Sequence, residues 1–450
     1  MAKDMTVGNP FKLILFFSIP VFLGNLFQQF YSMVDTFIVG RYIGENALAA
    51  VGASGAIVFL VLGFAFGITQ GFGVIIARIY GAKDYRRLKH FVAMSLELTI
   101  VVSLILTSVF VGQSMNLLKL MNTPSNIIDT ANSYVIIIYL GIIVTMFYNA
   151  CASILRGIGD SKTPLYFLII SSFLNIIFDL IFILKFDLNV AGAAYATILT
   201  QAISAVISLI YTFTKYEFLR PSLQDFYPDF NSYIELLKVG LSMAMNYSII
   251  AVGVMFLQSG VNHFGSGAVA AFTAASKVEN LGTLAMPALG AGAATYIAQN
   301  LGAKKYQRII DGVRKSILMG LVITIFSILF YAFLSEPIVG LFIPGISSET
   351  MFYASSYLYT SALFLIFLQA IFIFRNALQA IGNQIIPVIS GVVELLLRYL
   401  SISLLLAPFG YWAIRLAEPL AWSGAGLLTI YFYFRWEKQL KKKISLENEA

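Results

Sequence analysis

Asp35 lies in an apolar stretch that runs from Phe11 to Val39 and is broken once, at Pro20. A carboxylate at membrane depth is costly, so such a residue marks an ion or proton site. Asn175 and Asp179 stand one helical turn apart on a later apolar segment and share a face. Thr197, on the segment after that, adds a hydroxyl, and Gln201 shares its face. Two carboxylates, an amide and a hydroxyl are hard oxygen ligands for a small cation. Two neighbouring carboxylates can instead share a proton, because one charge disfavours the other. A plainer alternative is that Asn175 and Asp179 satisfy each other in a bundle core.

Further acids fall inside apolar segments: Glu97, Glu279, Glu394 and Glu418. Arg398 stands one turn after Glu394, and Lys277 lies close to Glu279. Lys277, Glu279, Glu394, Arg398 and Glu418 are expected to form a polar network, functional or purely structural. Glu97 is nearer a segment end and reads as interfacial.

These residues must be positioned by membrane helices. The chain has 450 residues, 59% hydrophobic and 11% charged, where a soluble domain carries about 25% charged residues. Apolar runs of about 20 residues recur from end to end, as in a polytopic helical membrane protein. Twelve spans are predicted, at 12–39, 52–77, 91–113, 131–155, 164–185, 190–213, 234–259, 269–297, 316–335, 351–374, 386–407 and 411–434. The net charge of +7 does not point to nucleic acid, because most Lys and Arg fall in the even-numbered loops and at the two ends. Arg41, Lys119 and Lys185 are the exceptions in loops on the other side. This bias places both termini in the cytoplasm. The basic tail 438–450, with Lys438, Lys441, Lys442 and Lys443, suits an anionic lipid surface or plain solvation.

The chain repeats itself. Gly44, Ala47, Ala49 and Ala50 return as Gly265, Ala268, Ala270 and Ala271. At the same offset Gly81, Ala82, Lys83, Tyr85 and Arg87 return as Gly302, Ala303, Lys304, Tyr306 and Arg308. Each half has an even number of spans, so both begin on the same side. The expected fold is all-α, with two homologous six-helix bundles related by a pseudo-twofold axis along the membrane normal, a layout that suits alternating access. The expected lobes are 1–213 and 234–437, joined by a polar linker at 214–233. Mapped onto the second half, Asp35 falls on Phe256, Asn175 on Arg398, Asp179 on Ile402 and Thr197 on Glu418. A guanidinium held by Glu394 or Glu418 would act there as a permanent internal cation.

Pro20 removes a backbone hydrogen bond within span 1 and is a candidate hinge, or a static kink. Pro287 interrupts span 8 in the same way, among small residues that allow close helix contact. Asn25, Gln29, Tyr134, Asn149, Asn246 and Met255 are candidates for lining an adaptable cleft. No phosphate-binding loop is present, which argues against an ATP-driven pump. His90 and His263 are isolated and Cys151 is the only cysteine. No catalytic or metal motif is visible, and the expectation is that the protein is not an enzyme.

The segment Pro20 to Gly40 with Met33-Val34-Asp35, Gly81-Ala82 after span 2, Arg156-Gly157-Ile158-Gly159-Asp160 before Pro164, and Asn175 with Asp179 share one duplicated layout. Together they resemble the multidrug and toxic compound extrusion family over essentially the whole chain. The resemblance implies a secondary active antiporter of the plasma membrane, working as a monomer. It implies export of small amphipathic, mostly cationic organic compounds in exchange for Na⁺ or H⁺, with no cofactor besides that ion. It also implies Asp35, Asn175, Asp179 and Thr197 as the cation site. The runner-up is a flippase for lipid-linked oligosaccharides from the wider superfamily. Such proteins line their cleft with basic residues, and here only Lys277, Arg398 and Arg415 are basic at depth.

Overall fold

The computed structural model describes residues 2–343 and 345–449. Among these the chain is helical almost throughout and forms no strand. The helices are α1 (Pro10–Tyr42), α2 (Glu45–Gly81), α3 (Tyr85–Leu120), α4 (Ile128–Leu140), α5 (Ile142–Gly157), α6 (Lys162–Leu180) and α7 (Asn189–Lys215). There follow α8 (Phe230–Asn262), α9 (Gly265–Thr283), α10 (Ala285–Gly302), α11 (Tyr306–Phe342), α12 (Ser348–Ala380), α13 (Ile385–Phe409) and α14 (Trp412–Glu449). Ten helical stretches are long and apolar enough to cross a membrane, counting α9 with α10 as one, and the bent pair α4–α5 makes eleven. Helix α14 covers the remaining predicted span, 411–434. The tail 438–450 forms the end of α14 as far as Glu449; Ala450 and several side chains there, Lys443 among them, lie outside the described residues.

The chain divides into two compact units. One comprises Met1–Met5 and Leu23–Ser248, the other Thr6–Phe22 and Ile249–Ala450. One changeover precedes α1 and the other two fall inside α1 and α8, and the segment 214–233 lies wholly in the first unit. Small residues account for this. On α2, Gly63, Gly67 and Gly71 recur every four residues and face Tyr247, Ala244 and Gly240 of α8. A Cβ built on Gly67 would stand 2.5 Å from the Ala244 backbone, and one on Gly71 would overlap Gly240. Backbones that approach so closely gain dispersion contact along the crossing, which is how helices associate without a hydrophobic drive. In the second unit Gly292 of α10 plays the same part against Ser18 and Ile14 of α1.

Three breaks shape the bundles. Pro287 has no N–H for the Thr283 carbonyl, and α9 ends at Thr283. The predicted single span 131–155 bends by 47° between α4 and α5. Gly141 sits at that bend, where a Cβ would overlap Ile198 of α7. Helix α6 continues past Leu180 as a π-helical turn, Ile181–Lys185, in which the Phe186 N–H donates to the Ile181 carbonyl at 3.1 Å. The turn begins two residues after Asp179, and such widened turns often mark functional sites. By contrast, α1 runs as one continuous helix through Pro20.

Gly71→Leu should destabilise the protein by about 1–3 kcal/mol through overpacking against α8. The check is the thermal midpoint in detergent. Gly112→Leu, at a position with open space around it, should leave the midpoint where it is.

Candidate functional site

In the first unit, α1, α6 and α7 bring the predicted cation-site residues into one region. Asp35 is 35 residues into the chain and Asp179 lies far along it, yet their carboxyl groups face each other closely enough to act as a hydrogen-bonded pair once one is protonated. Asp179 and Asn175 are buried on the inner stripe of α6. One Asp35 oxygen, both Asp179 oxygens and both amide atoms of Asn175 are buried with no hydrogen-bond partner. Asn175 and Asp179 therefore do not satisfy each other as the plainer reading of the sequence has it. Thr197, half-buried on α7, meets Tyr31 of α1, with 3.4 Å between the two hydroxyl oxygens. Tyr31 and Tyr134 stand within electrostatic reach of both carboxylates. Ile38, Val39, Ile183 and Val190 form a buried apolar cluster here, against which Val34, Tyr134, Ile176 and Leu180 pack.

The chemistry follows from this arrangement. Two carboxylates held together among apolar groups favour taking up one proton or one small cation. Leaving both charged is expensive, because among the described residues no lysine or arginine pairs with them.

The second unit solves the same problem with arginine. Glu394 of α13 accepts from Arg375 of α12 at 2.8 Å and from Arg398, one turn along α13, at 2.8 Å. Arg398 also donates to Glu418 of α14, at 3.1 Å from Nε and 2.7 Å from Nη2. Arg375 Nε donates to Ser390 at 3.0 Å. All four charged groups are buried. The Arg398 guanidinium lies against Gly253 of α8, where any side chain would overlap it. Glu279 of α9 accepts from the Tyr357 hydroxyl at 2.9 Å and stands within electrostatic reach of Glu418 and Arg398. Lys277 is exposed on α9 and stands apart from this network.

The cleft candidates are spread out. Asn25, Gln29 and Asn149 are half-buried in the first unit, and Met255 is half-buried in the second. Asn246 is buried, donating to the Ser242 carbonyl at 3.0 Å. Tyr134 is the member of the set that faces the carboxylates. Glu97 accepts from the Tyr233 hydroxyl.

Sequence reasoning missed Tyr31, Arg375 and Tyr357. Tyr31 had a signal: it lies one turn before Asp35, on the same face. Arg375 falls one residue past the predicted end of span 10 and so read as a loop charge. Tyr357 had none, since a tyrosine in an apolar span is ordinary.

At the linker end of the first unit, the Asp160 loop is tied down. Asp160 accepts from the Thr163 N–H at 3.1 Å, the Thr163 hydroxyl at 2.7 Å and the Tyr216 hydroxyl at 2.7 Å. Burial alone would raise its pKa; these hydrogen bonds outweigh burial and hold it below the ordinary carboxylate range. Lys3 N–H donates to the Ile158 carbonyl at 2.9 Å. His90 stacks on Tyr227, with 4.1 Å between ring centres. Glu235 pairs with Arg78 and, at 2.9 Å, with Arg87.

The pattern of the MatE family matches residues 20–181 and 242–404, once in each half of the chain. The chain is 28% identical to the probable multidrug resistance protein YoeA of Bacillus subtilis, over 94% of this chain and 93% of that protein. It is 23% identical to the multidrug export protein MepA of Staphylococcus aureus, with the same two coverages, 94% and 93%. Among solved structures it resembles a multidrug resistance MATE family transporter in an outward-facing conformation, at a TM-score of 0.89 and 23% identity, covering 98% of this chain and 99% of that one. It also resembles a MOP superfamily transporter from Pyrococcus furiosus at a TM-score of 0.90 and 23% identity, covering 97% and 98%. At that identity the structures speak to the fold. With ten apolar helices and these relatives, the protein is a multi-pass membrane protein.

Arg398→Leu should cost about 3–5 kcal/mol, as for one broken partner of a buried pair. Glu394 keeps Arg375, so Glu418 is the acid left alone. Arg398→Leu with Glu418→Gln should therefore recover more thermal stability than Arg398→Leu with Glu394→Gln. Equal or no recovery in the two double variants would refute this pairing scheme.

Proposed function

This chain belongs to the MatE family, and from that premise we propose that it is a secondary active multidrug exporter. Its substrates are small amphipathic, mostly cationic organic compounds, exchanged for Na⁺ or H⁺ by alternating access. The relatives named for multidrug resistance and export support the substrate class. The observation that carries the coupling half of the reading is the Asp35–Asp179 pair, in which one Asp35 oxygen and both Asp179 oxygens are buried without hydrogen-bond partners. A fixed ion pair would have no use for an exchangeable ion; this pair has one. Asn175 supplies a neutral oxygen one turn away, and Thr197 with Tyr31 supplies hydroxyls on the facing helices.

The transport reading takes the repeats 1–213 and 234–437 as its two lobes and a monomer as the working unit. It places the protein in the plasma membrane with both termini in the cytoplasm, following the charge bias. The flippase alternative is not favoured. It needs basic groups free to meet phosphate, whereas Arg375 and Arg398 are held by carboxylates. Arg415 lies 3.6 Å from the centre of the Trp412 ring and donates to Thr360 at 3.0 Å.

Binding of the ion removes the repulsion between Asp35 on α1 and Asp179 on α6, so the two helices are drawn together. Pro20 gives α1 a weak point four turns earlier. A drug that prefers one shape of α1 is then linked to the ion, and the linkage is reciprocal.

Asp35→Asn keeps the shape and removes the charge. Efflux driven by an imposed ion gradient in liposomes should be lost while insertion and folding persist; full gradient-driven transport by this variant would sink the assignment. Pro20→Ala should weaken coupling more than ion binding. Drug affinity titrated with and without the ion should differ less in this variant than in the parent, with ion affinity little changed. An unaltered ratio of drug affinities would remove Pro20 from the coupling route.

A further inference from the structure

The seam where α6 packs on α7 is unusually polar for an interior helix contact. On α7, Thr200, Ser204, Ser208 and Thr212 recur every four residues and are 3%, 4%, 1% and 0% exposed. On α6, Ser171 lies one turn from Asn175, which lies one turn from Asp179, and all three are buried. Ser171 and Ser204 hydrogen-bond to each other across the seam. At the linker end the line reaches Tyr216, whose hydroxyl donates to Asp160 at 2.7 Å.

Serine and threonine inside a helix ordinarily return their hydroxyl to the carbonyl one turn back. Ser204 does so, to Thr200 at 2.8 Å. The hydroxyls of Thr200, Ser208 and Thr212 do not, and are buried with no partner. Each therefore has a donor and an acceptor to offer along the helix stripe that carries Ser204, and leaving them unmet costs about 1–3 kcal/mol apiece.

The second half is an internal control. At the repeat offset Thr200, Ser204, Ser208 and Thr212 correspond to Ala421, Ala425, Thr429 and Tyr433, all buried as well. The first two are alanine, and Thr429 returns its hydroxyl to Ala425 and Gly426 at 3.1 and 2.9 Å. Ser171 and Asn175 correspond to Glu394 and Arg398, which lie in the closed ion network. Packing at the first two positions is thus met by alanine with no hydroxyl, while Thr429 and Tyr433 keep one. The ladder is unbroken only in the half that carries the unneutralised carboxylates; in the other it lacks its first two hydroxyls.

The spacing suits proton transfer. Successive hydroxyls four residues apart are separated by a rise of about 6 Å. Two hydrogen bonds of about 2.8 Å through a single water span that gap. From Thr200 to Thr212 the ladder covers about 18 Å, more than half of a hydrocarbon core of about 30 Å. The direct Ser171–Ser204 hydrogen bond decides the cargo. A proton can pass through it by exchange, whereas a metal ion would have to break it.

We propose that the α6–α7 seam is a water-bridged proton path linking the Asp35–Asp179 pair to the linker end of the first unit at Tyr216 and Asp160. The proposal rests on the antiport reading and deepens it, assigning H⁺ to the site and a side to its release. In each hop a hydroxyl oxygen accepts a proton from one neighbour and gives its own to the next. Every link ends neutral, and no oxidant or reductant takes part.

The test uses the full chain in liposomes with a pH-sensitive dye inside and a drug gradient across the membrane. Thr200→Val and Thr212→Val are isosteric and remove only hydroxyls; Ser204→Ala installs the residue found at Ala425. Proton flux in the Thr200→Val, Thr212→Val double variant should fall by about tenfold, with an altered solvent isotope effect and unchanged drug affinity and thermal midpoint. Ser204→Ala should also slow the flux, and Ser204→Thr should retain it. A parent that moves protons normally, with hydroxyl-free variants that do the same, would overturn the path alone. A parent that moves drug without protons would overturn the path and the H⁺ assignment together. Should a valine variant fail to fold, the Ser204→Ala and Ser204→Thr pair decides on the same readout.

Discussion

A carboxylate buried among apolar helices must be neutralised by a proton, a small cation or a fixed guanidinium, and the two halves of this chain draw on different members of that set. In the second unit two arginines and two glutamates close on one another within hydrogen-bond distance. In the first unit Asp35 and Asp179 face each other with no fixed cation among their partners. The contrast is the more telling because Arg398 occupies the repeat counterpart of Asn175, and Glu418 that of Thr197. One repeated arrangement of helices thus holds paired charges in one copy and an unpaired carboxylate pair in the other.

The surrounding structure follows from having to place those groups at depth. Glycine contacts between α2 and α8 let the backbones touch, so the first part of α8 becomes part of the first unit. The Gly141 bend turns α4 against α7 near Thr197. The π-helical turn after Leu180 ends α6 beside Asp179. On the second unit, Gly253 leaves room for the Arg398 guanidinium.

A site that exchanges its neutralising ion needs a way for that ion to arrive and leave. The hydroxyl ladder on α7 and the Ser171–Asn175–Asp179 stripe on α6 lie in the same unit as the carboxylate pair; in the other half the counterparts of Thr200 and Ser204 are alanine, and those of Ser171 and Asn175 are the paired Glu394 and Arg398. On the proposed reading, carboxylate pair and ladder are two parts of one device.

The membrane spans, the duplication, the ionisable residues at depth and the shared face of Asn175 and Asp179 were all legible in the residue order. Hydropathy, charge bias and helical periodicity are local or additive properties, and they survive without knowledge of packing. Rise per residue converts position within a span into height, so Asp35 and Asp179, each a few residues before the end of its span, fall at about one depth. What residue order could not supply was which side chains meet across helices. Arg375 joins Glu394 only because α12 lies against α13, and Tyr31 reaches Thr197 only because α1 lies near α7. Lys277, adjacent in sequence logic to Glu279, points away from the network. The exchange of helix segments between units is likewise settled by backbone contact at a few glycines. Such pairings depend on the rotation and crossing of whole helices, which no window of sequence encodes, and only the tertiary structure decides them.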